Sequence, residues 1–299
     1  MRGLFSKNNL IAVLVVVLLF TGLYGLYSLY QNKLKLVIRP KVELPKTLEP
    51  VLSVIGQSVE GRKIEAYTFG TGSTTLAFVG GIHGGYEWNS VLLAYDFMDY
   101  LKTNPASLPA NLTVTVIPNA NPDGTFKIIG KEGRFSLADV PKDLDSAPGR
   151  LNADQVDLNR NFDCKWQPTG LWRSKTVSAG TKAFSEPEAQ AIRDFALTKK
   201  PSAFIFWHSM SNAVYASECE NGILPATLTL MKTYSDATGY PAVDSFTSYP
   251  VTGDAEGWLA SVGIPAITVE LKTHEGVEWN KNLSGIKAVF DYYGEKLAK

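Results

Sequence analysis

The sequence predicts an α/β fold: a single three-layer α/β/α domain with a mostly parallel mixed sheet, preceded by one N-terminal transmembrane helix. Short apolar runs alternate with stretches of helical periodicity, which is typical of parallel strands covered by helices on both faces. An uncharged, Leu- and Val-rich run at residues 10–30 is long enough to cross a bilayer. With 299 residues, 45% of them hydrophobic, the chain can bury one sizeable core.

The N-terminal apolar run divides the chain. We expect residues 1–9 to be a short head, residues 10–30 a membrane anchor, residues 31–50 a Lys- and Pro-containing tether, and residues 51–299 the folded domain. A cleaved signal peptide is the alternative to an anchor. The apolar run exceeds the usual length of a signal-peptide core, however, and no clear Ala-x-Ala cleavage site follows it, so an anchor is favoured.

The charges that flank this run bear on its orientation. More basic residues follow it than precede it, and this count opposes export of the domain. A very short head before an N-terminal apolar segment is nevertheless the usual geometry of an export anchor, and long domains can translocate regardless of charge. We therefore expect a single-pass protein of the cell membrane whose folded domain is extracytoplasmic.

The strands and helices of the domain follow from its apolar patterns. Short apolar runs at residues 75–79, 112–117, 203–207 and 266–269 predict buried strands. Residues 90–101 have helical spacing, and residues 185–197 predict a second helix with Ser185 as N-cap and Glu188 completing a capping box. In such a sheet, ligands bind outside the carboxyl ends of the strands.

Three segments near those strand ends carry chemically useful side chains. Gly-Ile-His83-Gly-Gly-Tyr-Glu87-Trp and Phe-Trp-His208-Ser supply two imidazoles and a carboxylate, the donors that a catalytic zinc prefers. Val-Asp-Leu-Asn159-Arg160-Asn-Phe supplies an Arg, whose planar fork binds carboxylates in a bidentate manner. From the residues alone, polar Gly-rich turns, a core His and an ordinary surface Asn-Arg pair remain alternatives.

These segments resemble the zinc metallocarboxypeptidases of the M14 family. The similarity runs from about Ile55 to the C-terminus, in family order, and its features suggest a bacterial, membrane-anchored member. Besides the three segments above, it rests on a hairpin-like stretch at residues 55–64 and on Asn-Pro-Asp-Gly at 121–124, Phe-Ser-Glu-Pro-Glu at 184–188 and Thr-Val-Glu-Leu at 268–271. The resemblance implies a zinc carboxypeptidase-like fold and a catalytic domain at residues 51–299.

The resemblance also implies a metal site with one Zn²⁺ per chain. His83, Glu87 and His208 match the family's ligands, and the open fourth position would hold a water whose pKa the metal lowers. The family usually spaces its first two ligands as His-x-x-Glu, whereas this chain has one residue more, which the intervening glycines could absorb. Asp157 matches the carboxylate that accepts the spare imidazole proton of His83.

Two further residues match groups that act on the peptide bond. Glu270 matches the general base, which takes a proton from the attacking water and passes it to the leaving amine. Arg150 is the candidate for the Arg that stabilises the oxyanion, and Arg134 is its alternative. The alternative for Glu270 is a partly solvated Glu at the end of a strand.

Substrate binding is assigned in the same way. Asn159 and Arg160 match the pair that grips the terminal carboxylate, and Tyr249 matches a mobile tyrosine that closes over it. Glu256 aligns with the position that decides side-chain preference, which favours a basic or amine-bearing departing residue, including diaminopimelate. A solvated loop charge is an equally open interpretation of Glu256.

The sequence therefore predicts a zinc metallocarboxypeptidase that acts on peptides with a free C-terminal carboxylate. Cell-wall peptides enter only by analogy with an enzyme anchored outside the membrane. The alternatives are an N-acyl amino acid deacylase and a catalytically weak, zinc-poor module that binds peptide termini. Nucleic acid is not expected as a partner, since 29 basic residues balance 29 acidic ones. Whether Cys164 and Cys219 form a disulfide stays open at this point.

Overall fold

The computed structural model describes residues 7–37, 47–143 and 145–296. The chain divides into two compact units, residues 1–46 and residues 47–299. The second unit contains the sheet. The division at residues 46 and 47 lies four residues before the predicted boundary between tether and domain, at residues 50 and 51. The exact domain limits stay predictions.

The described residues of the N-terminal unit form the helix α1 (Lys7–Val37). Its window Leu14–Gln31 is long and apolar enough to cross a membrane, and its large side chains, such as Phe20 at 69% exposure, are uncovered in the described part of the chain. A signal sequence would satisfy the same test. The helix continues through residues 31–37, where a tether was predicted, and residues 1–6 and 38–46 of the predicted head and tether lie outside the described residues.

The second unit alternates strands and helices along the chain. Its helices are α2 (Trp88–Thr103), α3 (Pro122–Ile129), α4 (Pro187–Lys199), α5 (Pro225–Thr238), α6 (Ala255–Ser261) and α7 (Trp279–Lys296). Its strands are β1 (Val51–Gln57), β2 (Lys63–Gly70), β3 (Thr74–Val79), β4 (Leu112–Ile117), β5 (Thr169–Trp172), β6 (Lys175–Ser178), β7 (Ala203–Ser209), β8 (Ala213–Ala216), β9 (Glu218–Cys219), β10 (Gly222–Ile223), β11 (Ala242–Val243) and β12 (Ala266–Leu271).

Eight of these strands form one mixed sheet in the order β1-β2-β4-β3-β7-β12-β8-β11. The four central strands β4, β3, β7 and β12 are parallel to one another, whereas the β1–β2, β2–β4 and β12–β8 pairs are antiparallel. The predicted hairpin at residues 55–64 is the β1–β2 connection. The carboxyl ends of the central strands therefore meet at one edge, as expected for a site in this class of sheet.

Helices cover both faces of the sheet, so the central strands are buried on both sides. On β7, Ile205 and Trp207 pack into the core formed with α2, α5 and α7, whereas Phe204 and Phe206 pack into the core formed with α4 and α6. Because side chains alternate along a strand, a run that is apolar at every position requires cover on both faces. The predicted three-layer α/β fold is confirmed.

One local prediction is wrong, namely the start of the helix predicted at residues 185–197. Helix α4 begins at Pro187, so Glu186 and not Ser185 precedes it, and no side chain caps it. The Ser185 hydroxyl instead donates a hydrogen bond to Glu186. Proline at the first helical position, where the amide proton is unsatisfied in any case, explains why the helix begins later than the capping pattern indicates.

A disulfide joins Cys164 and Cys219, whose Cα atoms are 5.9 Å apart. Cys164 follows the Asn159–Arg160 motif and Cys219 ends β9, so the bridge joins these two segments. Both cysteines are buried. The possibility that the sequence leaves open is thus realised in the structure.

Replacing both cysteines by alanine is expected to lower the free energy of unfolding by about 4 kcal/mol, because a bridge across 55 residues restricts the unfolded chain. Denaturant unfolding of the full chain in detergent, with and without reductant, measures this loss. Reductant should destabilise the wild type and leave the double variant unchanged. Equal stability of the oxidised and reduced wild type would contradict the prediction.

Candidate active site

A tight turn after β3 brings the first two predicted metal ligands together. Residues Gly84–Glu87 form a 3-10 turn, and His83 Nδ1 lies 2.8 Å from Glu87 Oε1. Gly84 has φ of +47°, and a Cβ there would lie 2.6 Å from the carbonyl oxygen of Gly149, so the turn requires glycine. The additional residue between His83 and Glu87 is therefore accommodated by one turn that places the two side chains on the same side.

His208 reaches the same point from the carboxyl end of β7. Its Nδ1 lies 3.3 Å from His83 Nδ1 and 3.2 Å from Glu87 Oε2. All three side chains are buried, and their potential ligand atoms lie within 4.8 Å of one another. Residues that are far apart in sequence thus converge into a single cluster of donors.

The cluster fits a tetrahedral zinc ion. Ligand atoms about 2.0–2.1 Å from such an ion lie about 3.3 Å from one another, close to the separations of 2.8, 3.2 and 3.3 Å between these donors. Glu87 Oε2 is buried without a hydrogen-bond partner among the described residues, as expected of an atom reserved for a cation. Two imidazoles and one carboxylate are also the donor set that zinc prefers.

The carboxylate of Glu87 and the imidazole of His208 shift each other's pKa in favour of their charged forms. Burial acts to raise the pKa of Glu87, but the adjacent His83 and His208 lower it well below its usual range. Burial acts to lower the pKa of His208, but Glu87 and Glu256 raise it well above its usual value. A carboxylate that stays ionised beside imidazoles is what a bound cation requires.

Asp157 lies behind the metal cluster. Its Oδ1 is 3.5 Å from His83 Nε2, and its Oδ2 accepts a hydrogen bond of 2.9 Å from Arg150 Nε. Burial acts to raise the pKa of Asp157, but the charges of Arg150 and Arg160 hold it well below the usual range. Asp157 is thus an ionised carboxylate beside the ring nitrogen of His83 that faces away from Glu87.

Glu270 faces the cluster from the neighbouring strand. It pairs with His208 in the β12–β7 register, and its Oε2 accepts a hydrogen bond of 3.2 Å from the Ser211 amide. Burial, followed by the negative charge of Glu87, raises the pKa of Glu270 to about 7. A carboxylate beside a cluster of metal ligands, with a pKa near neutrality, can exchange a proton at neutral pH.

Of the two candidates for the oxyanion position, the fold places Arg150 at this site. Its Nη1 lies 3.8 Å from Glu87 Oε1, and its guanidinium lies 4.9 Å from the centre of the Trp172 ring. Arg134, the alternative, instead pairs with Asp99 and does not line the cavity at the metal cluster. The geometry therefore favours Arg150 for the oxyanion position.

The Asn-Arg pair lies on a short turn that borders the same cavity. The Asn159 side-chain oxygen accepts a hydrogen bond of 2.8 Å from the Ala255 amide, which joins this turn to the start of α6. Arg160 donates from Nη2 to the carbonyl oxygen of Leu171 at 2.8 Å, so its guanidinium is held in place by the backbone. Both side chains line the cavity.

The other two predicted substrate-binding residues have different environments. Tyr249 is half-buried, stacks edge-on against Phe246 and lines the cavity. Glu256, in contrast, is 2% exposed, and its Oε1 accepts hydrogen bonds from Thr268 and from the imidazole of His208. Asp254, the second acid of this loop, caps α6 by accepting a hydrogen bond from the Gly257 amide.

The cavity that contains these groups has a volume of about 400 Å³. Part of its wall consists of residues that sequence reasoning missed: Tyr86 stacks edge-on against both Trp172 and His274, and Arg173 lies beside them. Tyr86 could have been found because it lies between two predicted ligands. Trp172 and Arg173 belong to the β5–β6 hairpin, which carries no motif that would mark it.

The sequence profile of the zinc carboxypeptidase family (Peptidase_M14) matches residues 50–287. The chain belongs to this family. The predicted resemblance is therefore confirmed, and so is zinc as the cofactor, since the family uses zinc and the chain assembles a fitting set of donors. Members are metallopeptidase hydrolases, which is the class of enzyme that the sequence predicts.

Individual relatives are distant. Over 164 residues the chain is 27% identical to bacteriocin BCN5 of Clostridium perfringens, an alignment that covers 52% of this chain and only 16% of the bacteriocin. Over 190 residues it is 26% identical to murein peptide amidase A of Vibrio campbellii. This alignment covers 56% of this chain and 72% of the amidase. The crystal structure of carboxypeptidase A from Helicoverpa armigera matches with a TM-score of 0.66 and 20% identity, over 86% of this chain and 71% of that one, which supports the fold alone.

Proposed function

We propose that this protein is a zinc-dependent metallocarboxypeptidase that hydrolyses the C-terminal peptide bond of peptides. The observation that carries the proposal is the position of Glu270, whose strand pairs with that of His208 beside the His83, Glu87 and His208 cluster. Family membership alone would not distinguish an active peptidase from a binding module. A base next to intact metal ligands favours catalysis.

The chemistry divides between the cofactor and the chain. Zinc, when bound by His83, Glu87 and His208, supplies Lewis acidity for a water nucleophile and for the carbonyl of the substrate. Glu270 accepts the proton of the attacking water and then donates it to the departing amine. Arg150 stabilises the negative charge that develops on the carbonyl oxygen. Asp157 orients His83, and therefore the ligand nitrogen, through the opposite ring nitrogen.

The proposal that the enzyme is an exopeptidase rests on Asn159, Arg160 and Tyr249. Arg160 is buried in the cavity wall, makes no direct ion pair among the described residues, and is suited to the terminal carboxylate of the substrate. Tyr249 lies on the same cavity and would donate its hydroxyl to that carboxylate. A free C-terminus bound there would place the preceding peptide bond near Glu270.

The departing residue is proposed to be basic or amine-bearing. Glu218 lines the cavity, and the resemblance to a murein peptide amidase supports cell-wall peptides with diaminopimelate as the substrate class. The alternative N-acyl amino acid deacylase would use the same metal site, and a binding module would use the same carboxylate contacts without turnover.

For the location, we propose a single-pass membrane protein with an extracytoplasmic catalytic domain. The apolar helix α1 supports an anchor. The Cys164–Cys219 disulfide supports an oxidising compartment, because such bridges are rare in the cytosol. Protease protection of α1-containing membranes, with and without detergent, would test the orientation.

The function is tested by the zinc content and the hydrolytic activity of the purified full chain in detergent. One zinc per chain and chelator-sensitive release of single C-terminal residues are expected from peptides ending in Lys, Phe or diaminopimelate. The matched controls are the same peptides with an amidated C-terminus, which should react at least about 100-fold more slowly because Arg160 loses its ionic partner. Zinc binding without release would favour the binding module, and cleavage of N-acyl amino acids alone would favour the deacylase.

A further inference from the structure

The carboxylate of Glu256 contacts His208, a candidate metal ligand, at the ring nitrogen that faces away from the metal cluster. Its Oε1 lies 3.0 Å from His208 Nε2, the ring nitrogen opposite the one that faces His83 and Glu87. Both residues are 2% exposed. The bond therefore forms away from bulk water, where a hydrogen bond to a charged acceptor has its greatest influence on the orientation of a ring.

The orientation of Glu256 is fixed by the surrounding structure. Thr268, on β12, donates a second hydrogen bond of 3.0 Å to the same Oε1. Glu256 itself lies in the first turn of α6, whose start is capped by Asp254 and joined to Asn159 through the Ala255 amide. Two secondary-structure elements thus hold this carboxylate against His208.

We infer that Glu256 is a positioning residue for zinc: it accepts the Nε2 proton of His208 and so directs the unprotonated Nδ1 at the metal. Metal-binding histidines commonly donate their second nitrogen to a carboxylate, and loss of that partner lowers metal affinity by about 10–100-fold. In this chain both histidine ligands would then be oriented by carboxylates, His83 by Asp157 and His208 by Glu256. The inference rests on the proposed function, because it assigns His208 to zinc.

This assignment changes the expected role of the residue. An acid that selects a basic side chain must offer its oxygens to that side chain, whereas Oε1 of Glu256 already accepts two hydrogen bonds from protein groups. Truncation of Glu256 should therefore weaken zinc binding and lower kcat for every peptide alike. A selectivity acid would instead change the ratio of kcat/KM between peptides ending in Lys and in Phe.

The test compares Glu256→Ala, Glu256→Gln and Asp254→Asn by chelator competition for zinc and by kcat/KM on both peptides. We expect the zinc Kd to rise by about 10–100-fold in Glu256→Ala, less in Glu256→Gln, whose amide oxygen still accepts the Nε2 proton, and to stay unchanged in Asp254→Asn. Asp254→Asn is the matched control, since it removes an acid from the same loop and asparagine still caps the helix.

A second readout does not depend on activity or on the folding of a truncated variant. In the zinc-loaded wild type, the Nε2 proton of His208 should exchange slowly in NMR spectra, and in Glu256→Gln its resonance should shift. A fast-exchanging proton, or wild-type zinc affinity in Glu256→Ala with a changed Lys/Phe preference, would overturn the inference alone. A wild-type chain that binds no zinc would overturn the proposed function as well.

Discussion

Replacing Glu270 by glutamine is expected to lower kcat by about 10²–10⁴-fold while one zinc stays bound per chain. Glutamine has nearly the same shape and can still accept the hydrogen bond from the Ser211 amide, so the strand end should keep its structure. An amide cannot take up a proton at neutral pH, however, and the attacking water would lose its base. Steady-state release of single C-terminal residues, measured together with zinc content, checks both halves of the prediction.

The matched control is Glu275→Gln, which removes an exposed acid five positions further along the chain. This variant should keep wild-type kcat, because Glu275 neither lines the cavity nor faces the metal cluster. A Glu270→Gln protein that loses less than about 10-fold would place the general base elsewhere. A variant that also loses its zinc would mean that Glu270 supports the metal site and not only proton transfer.

The sheet could be predicted because burial on both faces leaves a clear record in sequence. The segments that became β3, β4, β7 and β12 are mostly apolar, which is typical of strands covered on both faces. Their common carboxyl edge then placed His83, His208 and Glu270 near one another without any knowledge of geometry. The family resemblance supplied the ligand roles, which periodicity alone does not contain.

What could not be predicted depends on tertiary contacts. The sequence has one residue more between His83 and Glu87 than the usual His-x-x-Glu spacing. How the two donors nevertheless meet is visible only in the structure, where a 3-10 turn begins at Gly84 in the left-handed conformation. Glu256 illustrates a second limit. Its position in the chain matches a specificity residue, but the direction of its side chain follows from how α6 packs beside β7 and β12.

Helix starts illustrate a third limit. The Ser185 and Glu188 pattern indicates a capping box, yet Pro187 defines the first turn of α4. Glu188 is instead buried and accepts a hydrogen bond from the Val59 amide, 129 residues away in the chain. A side chain with a distant partner is no longer available for a local cap, and no local pattern reveals such a partner.

Replacing Glu87 by alanine is expected to weaken zinc binding by more than about 100-fold, because even the loss of a residue that only orients a ligand costs about 10–100-fold. The remaining ligands, His83 and His208, would lack the carboxylate that both coordinates the zinc ion and balances its positive charge. Activity should fall below detection. Zinc binding to the wild type should raise its stability, by about 4 kcal/mol at a zinc concentration 1,000 times the Kd, whereas the variant should show no such increase.

Asp96→Asn is the control that shows whether Glu87 or the next carboxylate along the chain is the metal ligand, given the additional residue after His83. Asp96 is the next carboxylate after Glu87 in the sequence, and it is exposed on α2. If the 3-10 turn presents Glu87 to the metal, the Asp96 variant keeps wild-type zinc affinity and thermal stabilisation. Zinc loss in the Asp96 variant, or zinc retention in Glu87→Ala, would show that the additional residue shifts the ligand set and that the turn at Gly84 does not restore it.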